Sequence, residues 1–290
     1  MIDIKLIELK EIFNQSDIEK ESTEYSFISN YMYSDLYDIK KCGNLIFLEY
    51  KELKTIVFPI KKTLDARNVS ECLFKYIEEN EDREVIGIFK DAQYQLIKAF
   101  NEVYLEECRD LSEYIYDAEG LRSLKGKKYT KKRNHLNYLL SEYKDRIEYR
   151  KLESKEEFND CKNLLNLWNK GRENDLDVVN ETIAINKIFD NYEDLKEEIK
   201  IGGVYIDNNL ESFAIGSKLN NDMALIHVEK ANVDIRGLYQ YINKEFLLSE
   251  FPEVRFVNRE DDMGLEGLRD AKMSYHPIGF IYKYLIKKTN

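Results

Sequence analysis

Between residues 200 and 258 the chain spells out three strands, two tight turns and a crossover, an order that few folds accommodate. Lys200–Ile206 and Glu211–Lys218 are apolar-rich segments on either side of Asp207-Asn208-Asn209. Asp and Asn tolerate the positive-φ corner of a two-residue hairpin, so these segments are expected to pair antiparallel. Asn220-Asn221-Asp222 repeats the signal before a third strand, Met223–Lys230. A helix expected over Gly237–Ser249 then carries the chain to a short apolar strand, Arg255–Asn258. A helical crossover returns a strand in the same direction, so the fourth strand is expected to lie parallel in the sheet. The same half has a strand at Ile147–Leu152, helices at Lys155–Asn169 and Glu181–Lys196, a helix at Leu265–Ser274 and a last strand at Ile278–Ile286. The order βααβββαβαβ describes a mixed sheet with helices on both sides.

The first half also reads as mixed α/β. Helices are expected over residues 8–20, 26–38, 69–80 and 92–100, and strands over 45–50, 55–59, 85–89, 103–108 and 114–117. At 290 residues the prior is two domains, 1–120 and 121–290, with 117–126 as the connection. Three prolines and twelve glycines argue against long linkers. Cysteines at 42, 72, 108 and 161 match neither a zinc ribbon nor a redox pair, and no metal is expected. The N-terminal residues lack a secretion signal, and no apolar run reaches membrane-spanning length. The expectation is a cytoplasmic protein without a transmembrane segment, with peripheral contact at a membrane surface left open.

The net charge is −11, yet Lys125, Lys127, Lys128, Lys131, Lys132 and Arg133 fall within one short segment. Most of the surface should repel polyanions, while this segment creates a local positive field that attracts phosphate. Lys127, Lys128, Lys131, Lys132 and Arg133 are therefore candidate phosphate or nucleic-acid contacts, for RNA, a lipid headgroup or a cofactor. The segment opens a helix of about four turns, with Tyr129, Leu136, Leu139, Leu140 and Tyr143 on one face. Lys132 falls close to that face, where a cation must snorkel, pair or meet a ligand. A solvated charged face is the alternative reading.

Candidate chemistry gathers further along. Alternation places Leu225, His227 and Glu229 on one face of the third strand. A His beside a Glu suits proton relay or deprotonation of an attacking amine; a structural hydrogen-bonded pair explains them equally. Gln240 and Asn243 lie on a polar side of the next helix and are candidate ligand contacts. Asn258-Arg-Glu-Asp-Asp262 is the most concentrated polar run. Arg259 can hold a carboxylate or phosphate bidentately, and Glu260, Asp261 or Asp262 can receive a substrate ammonium or cap the next helix. Asn258, Arg259, Glu260 and Asp262 are read as substrate-binding, and Asp261 as catalytic.

Four segments carry a resemblance: Leu124-Lys-Gly-Lys-Lys-Tyr-Thr-Lys-Lys-Arg-Asn-His135, His227-Val-Glu-Lys-Ala231, Gly237-Leu-Tyr-Gln-Tyr-Ile-Asn243 and the long run from Val257 to Pro277. They resemble a bacterial group related to the C-terminal catalytic domain of phosphatidylglycerol lysyltransferase. Tyr25-Ser-Phe-Ile-Ser-Asn-Tyr31 resembles that group's N-terminal signature. The resemblance implies an α/β fold of two tandem GNAT-like acyltransferase domains, the first a degenerate copy and the second carrying the site. In GNAT enzymes a strand and the parallel strand that follows it splay apart, and the acyl donor lies in the gap. Arg236 and Gly237 match their pyrophosphate loop and are assigned to substrate binding, but bulky Tyr239 stands where a small residue is usual. Tyr275, with Lys272 one turn earlier, takes the place of the tyrosine that protonates the leaving group. The implied activity is acyl or aminoacyl transfer, with aminoacyl-tRNA or acyl-CoA as donor, tRNA as a partner, and a small molecule or lipid headgroup as acceptor. A coenzyme-A-dependent N-acetyltransferase and a non-catalytic binder of tRNA or anionic surfaces are the alternatives.

Overall fold

A computed structural model describes residues 4–14, 21–42, 45–51, 55–57, 75, 78–79, 84–87 and 103–288. In chain order, the first half holds helices α1 (Ile4–Asn14) and α2 (Phe27–Met32) and strands β1 (Tyr37–Cys42), β2 (Leu45–Tyr50), β3 (Thr55–Val57), β4 (Glu84–Gly87), β5 (Val103–Glu107) and β6 (Glu113–Asp117). Next come α3 (Ala118–Ser123), α4 (Thr130–Tyr143), β7 (Ile147–Lys151), α5 (Lys155–Trp168), α6 (Leu176–Asp190) and α7 (Tyr192–Leu195). The chain continues through β8 (Ile199–Ile206), β9 (Asn209–Lys218), β10 (Met223–Ala231), α8 (Leu238–Glu250), β11 (Phe256–Asn258), α9 (Glu266–Met273), β12 (Gly279–Ile281) and β13 (Tyr284–Lys288). No helix among the described residues is long and apolar enough to cross a membrane.

The chain divides into two units, and the cut is not a single one. Residues 1–113, 261–269 and 280–290 make the first unit; 114–260 and 270–279 make the second. The first unit's sheet runs β1-β2-β3-β4-β13-β5. Its pairs are antiparallel except β3–β4. Leu9, Phe13, Tyr31, Tyr37 and Leu48 are buried in it. The N-terminal signature has a structural role here. Ser26 caps α2 by accepting from the Ser29 N–H, Asn30 donates to the Ser26 carbonyl at 2.7 Å, and Tyr37 donates to the Asn30 carbonyl at 2.6 Å.

The second sheet runs β12-β6-β11-β10-β9-β8-β7. Here β10–β11 is the parallel pair, and β7–β8, β8–β9, β9–β10 and β6–β11 are antiparallel. The Asp207-Asn208 corner has φ of 51° and 64°, as a two-residue hairpin between Ile206 and Asn209 requires. The two sheets repeat one scheme: an antiparallel run, one parallel pair, then an antiparallel strand. In each, that closing strand comes from the other part of the chain. β6, from the N-terminal half, pairs with β11, and β13, the last strand, pairs with β4.

Several expectations change. The helix read over 26–38 stops at Met32, and Tyr37–Cys42 instead forms β1 against β2, its Tyr37 ring buried. The single final strand is two, β12 and β13, in different sheets. Residues 114–117 belong to the second sheet because Tyr114 and Tyr116 are buried there and β6 pairs with β11. The connection at 117–126 contains α3, capped by Asp117. The helix expected over 181–196 starts earlier and breaks at Asn191. The helix expected over 92–100, and that over 69–80 apart from Lys75, Glu78 and Glu79, lie outside the described residues.

Candidate functional site

The site grows from a defect in β10. Its register against β9 shifts between Ile226 and Val228, so His227 sits in a bulge. Its pairing with β11 covers only Met223–Leu225 against Phe256–Asn258, and β10 runs on to Ala231 beyond it. A bulge bends the strand that carries it and raises its twist, which is how two parallel neighbours come to diverge. Beyond the bulge, alternation sends neighbouring residues to opposite faces. Lys230 is buried on one face, donating to Glu181 at 2.7 Å and standing 3.7 Å from the Trp168 ring centre. Glu229 points to the other.

Glu229 organises the side chains on its face. Arg259 Nη2 donates to its Oε1 at 3.1 Å, and Asn243 Nδ2, from α8, donates to its Oε2 at 3.1 Å. The Glu229 side chain is 9% exposed and that of Arg259 13%. An ion pair this deep depends on its geometry and on its further hydrogen bonds. The other ends of the two partners are unsatisfied. Arg259 Nη1 and Asn243 Oδ1 are buried without a hydrogen-bond partner. The donor and the acceptor are thus left over on side chains that hold one carboxylate. Such buried orphans are rare in folded proteins and call for an explanation.

An aromatic wall adjoins them. Arg259 Cζ lies 5.0 Å from the Tyr275 ring centre and 5.8 Å from that of Tyr116. Lys132, from α4, places Nζ 3.9 Å from the Tyr275 ring centre and donates to Ser274 Oγ at 2.7 Å. Gln240, one turn before Asn243, donates to the Tyr275 hydroxyl at 3.4 Å. Burial pushes the Tyr275 phenol up to about 12, with Arg259 opposing and Glu229 adding to the rise. Lys132 is pushed down to about 8 by burial, then by the positive charges of Arg259 and Lys131.

The remaining candidates divide among other settings. His227 lies between Ser217 Oγ at 2.8 Å and Glu260 Oε1 at 3.3 Å. Glu260 has φ of 56°, and its N–H donates to the buried Asn258 side chain at 2.8 Å. His227 and Glu229 therefore take different partners, although two residues apart. Lys272 is buried and donates to the Arg259 carbonyl, while its own carbonyl accepts from the Tyr116 hydroxyl. It holds the Arg259 backbone in place. Asp261 and Asp262 belong to the first unit. Asp261 accepts the Met263 N–H. Asp262 is fully buried and accepts from Arg109, Arg269 and the Gly264 N–H. That carboxylate is taken up by two arginines.

Gly237 caps α8 at φ 93°, and a Cβ there would meet the His135 carbonyl oxygen at 2.2 Å. The glycine lets α8 start against α4. Arg236 is exposed and stacks on Tyr138 at 4.9 Å. Tyr239 accepts from Trp168 Nε1 at 3.3 Å. On α4 and the turn before it, Lys127, Lys128 and Lys131 are exposed. Arg133 turns back to the chain, donating to the carbonyls of Leu124 and Gly126, the latter at 2.6 Å. The sequence reading missed Tyr116 and Ser274. Neither belongs to a polar cluster, and Ser274 is 142 positions from Lys132.

A family model described as "Phosphatidylglycerol lysyltransferase, C-terminal" matches residues 16–287. Among solved structures, a conserved protein of unknown function from Bacteroides thetaiotaomicron VPI-5482 is similar at a TM-score of 0.82 and 27% identity, over 99% of each chain. The structure of L-PGS from Bacillus licheniformis is similar at a TM-score of 0.66 and 13% identity, over 99% of this chain and 92% of that one. A tandem GNAT protein from the clavulanic acid biosynthesis pathway is similar at 0.52 and 11% identity, over 98% and 93%. The fold is mixed α/β of the tandem GNAT type.

Proposed function

The chain belongs to the phosphatidylglycerol lysyltransferase C-terminal family, and from that premise we propose that it transfers an aminoacyl group from charged tRNA to an amine or hydroxyl acceptor. The observation that carries this reading is the orphaned pair beside Glu229, Arg259 Nη1 and Asn243 Oδ1. An aminoacyl ester has the complementary set. Its carbonyl oxygen accepts from Arg259, and its α-amino group donates to Asn243. An acetyl group offers only the carbonyl and would leave the Asn243 oxygen buried and unpaired, at a cost of about 1–3 kcal/mol. Tyr239, in the first turn of α8 where a small residue is usual, weighs the same way against coenzyme A.

In this mechanism Glu229 holds Arg259 and Asn243 in place before the substrate arrives. Arg259 stabilises the oxyanion of the tetrahedral intermediate, helped by N–H groups of β10 beyond its pairing with β11. Direct attack by the acceptor needs no acyl-enzyme. The exposed Lys127, Lys128 and Lys131 attract the donor's phosphates. The acceptor is a small molecule or a lipid headgroup bearing the amine or hydroxyl. The test is transfer of labelled amino acid from a set of charged tRNAs. Arg259→Met should lower transfer by about 10²–10³-fold, the scale of a lost oxyanion donor. Full turnover by that variant would remove Arg259 from the chemistry. Consumption of acetyl-CoA in place of charged tRNA would favour the acetyltransferase.

A further inference from the structure

We propose that Lys132, rather than Tyr275, gives the proton to the leaving oxygen of the acyl donor. This role rests on the aminoacyl-transfer reading. Lys132 reaches the site from α4, with Nζ 2.7 Å from Ser274 Oγ and 3.9 Å from the Tyr275 ring centre. The same ring carries Arg259 at 5.0 Å, so one aromatic side chain joins Lys132 to the group that receives the carbonyl. Of the basic residues in its segment, Lys127, Lys128 and Lys131 are exposed and Arg133 is spent on the carbonyls of Leu124 and Gly126. Lys132 alone of these five is held against the site.

The charged and titratable groups around it are Lys131 and His135 on α4, Arg259 after β11, Glu229 on β10 and Tyr275 after α9. Burial and the neighbouring cations hold His135 below its ordinary value, so at neutral pH it adds no charge; the cations Arg259 and Lys131 outweigh the one carboxylate. Burial and these charges bring the Lys132 ammonium down to about 8, while the neighbouring phenol rises to about 12. Of the two acids Lys132 is the readier donor, and it stays mostly charged at neutral pH. A general acid works best when its pKa lies near the working pH.

In the transfer step the acceptor amine bonds to the carbonyl carbon, the ester C–O bond breaks, and the Lys132 proton passes to the departing oxygen. Neutral Lys132 then takes the proton carried by the attacking nitrogen. One ester and one amine become one amide and one alcohol, and the protein returns to its starting state.

Lys132→Arg keeps the positive charge but holds its proton far more tightly. Two donors separate proton transfer from binding: the adenosine ester of the amino acid the wild type takes from tRNA, and the 4-nitrophenyl ester of the same amino acid. Both are assayed with glycinamide as acceptor. On the adenosine ester, K132R is expected to be slower by about 10²–10⁴-fold. On the nitrophenyl ester, whose leaving group departs without a proton, it should match wild type. The wild-type ratio of adenosine-ester to nitrophenyl-ester rates should fall as pH rises through about 8. A ratio compares two donors with one acceptor, so titration of the amine cancels. Equal losses on both esters, or an unaffected K132R, would overturn the role while leaving the transferase reading intact. A wild-type protein that consumes no charged tRNA overturns both.

Discussion

The Glu229 carboxylate holds Arg259 and Asn243 in place. As the counter-charge of Arg259 it stabilises the fold. Glu229→Gln leaves a guanidinium buried without its anion, a change that costs about 3–5 kcal/mol. Urea unfolding should show the loss, and the double variant Glu229→Gln/Arg259→Met should recover part of it; strict additivity would mean the two do not interact. Glu229, Gln240, Asn243 and Arg259 were legible as candidates because they interrupt apolar patterning, and Tyr275 was one through the resemblance. Their partners were not legible. Lys132 stands out in the basic run only as a cation beside an apolar stripe, and it is the fold that brings it to Ser274 and Tyr275. Arg133 reads as one more phosphate contact, yet it secures the turn that starts its own helix. In the Asn258–Asp262 run, composition alone could not separate an arginine facing the site from an aspartate taken up by Arg109 and Arg269.

At the scale of elements, α4 has a solvent side and a site side. Replacing Lys127, Lys128 and Lys131 by Ala should leave stability nearly unchanged, since surface changes usually stay within about 0.5 kcal/mol. The same variant should bind tRNA more weakly, and the slope of log affinity against log salt should flatten by up to about three units for three lost phosphate contacts. An unchanged slope in filter binding would return these lysines to the solvated face. The meander of the second sheet was readable because Asp207-Asn208 and Asn220-Asn221-Asp222 have few conformations open to them. β1 was not. The turn after Tyr33 falls within a run whose apolar spacing also suits a helix, and pairing with β2 decides it. The bulge at His227 has no local signature, so strict alternation wrongly suggests that His227 and Glu229 share their partners.

For the whole molecule, the exchange of β6 and β13 is the feature that local patterning cannot reveal, since a strand's period does not say which sheet it joins. A charged cluster lies where the exchanged strands begin. Glu113 opens β6, Lys283 precedes β13, and the two meet at 2.9 Å, with Glu24 at 2.6 Å from the same ammonium. Burial holds the Glu113 carboxyl above its usual value, against the pull of Lys283. A raised carboxyl gives its full contribution below the ordinary carboxylate pKa and loses it as pH rises through the shifted value. Glu113→Gln keeps the neutral form throughout. Its stability relative to wild type should therefore climb with pH above the ordinary carboxylate range; parallel denaturation profiles would show that Glu113 titrates normally. The exchange also bears on biosynthesis. During translation the first sheet has a slot between β4 and β5 that β13 fills, about 175 residues after β5 is made. The amino-terminal half must wait, unfinished, until Tyr284–Lys288 has left the ribosome, and a product truncated before that segment would spoil its oldest part along with its newest.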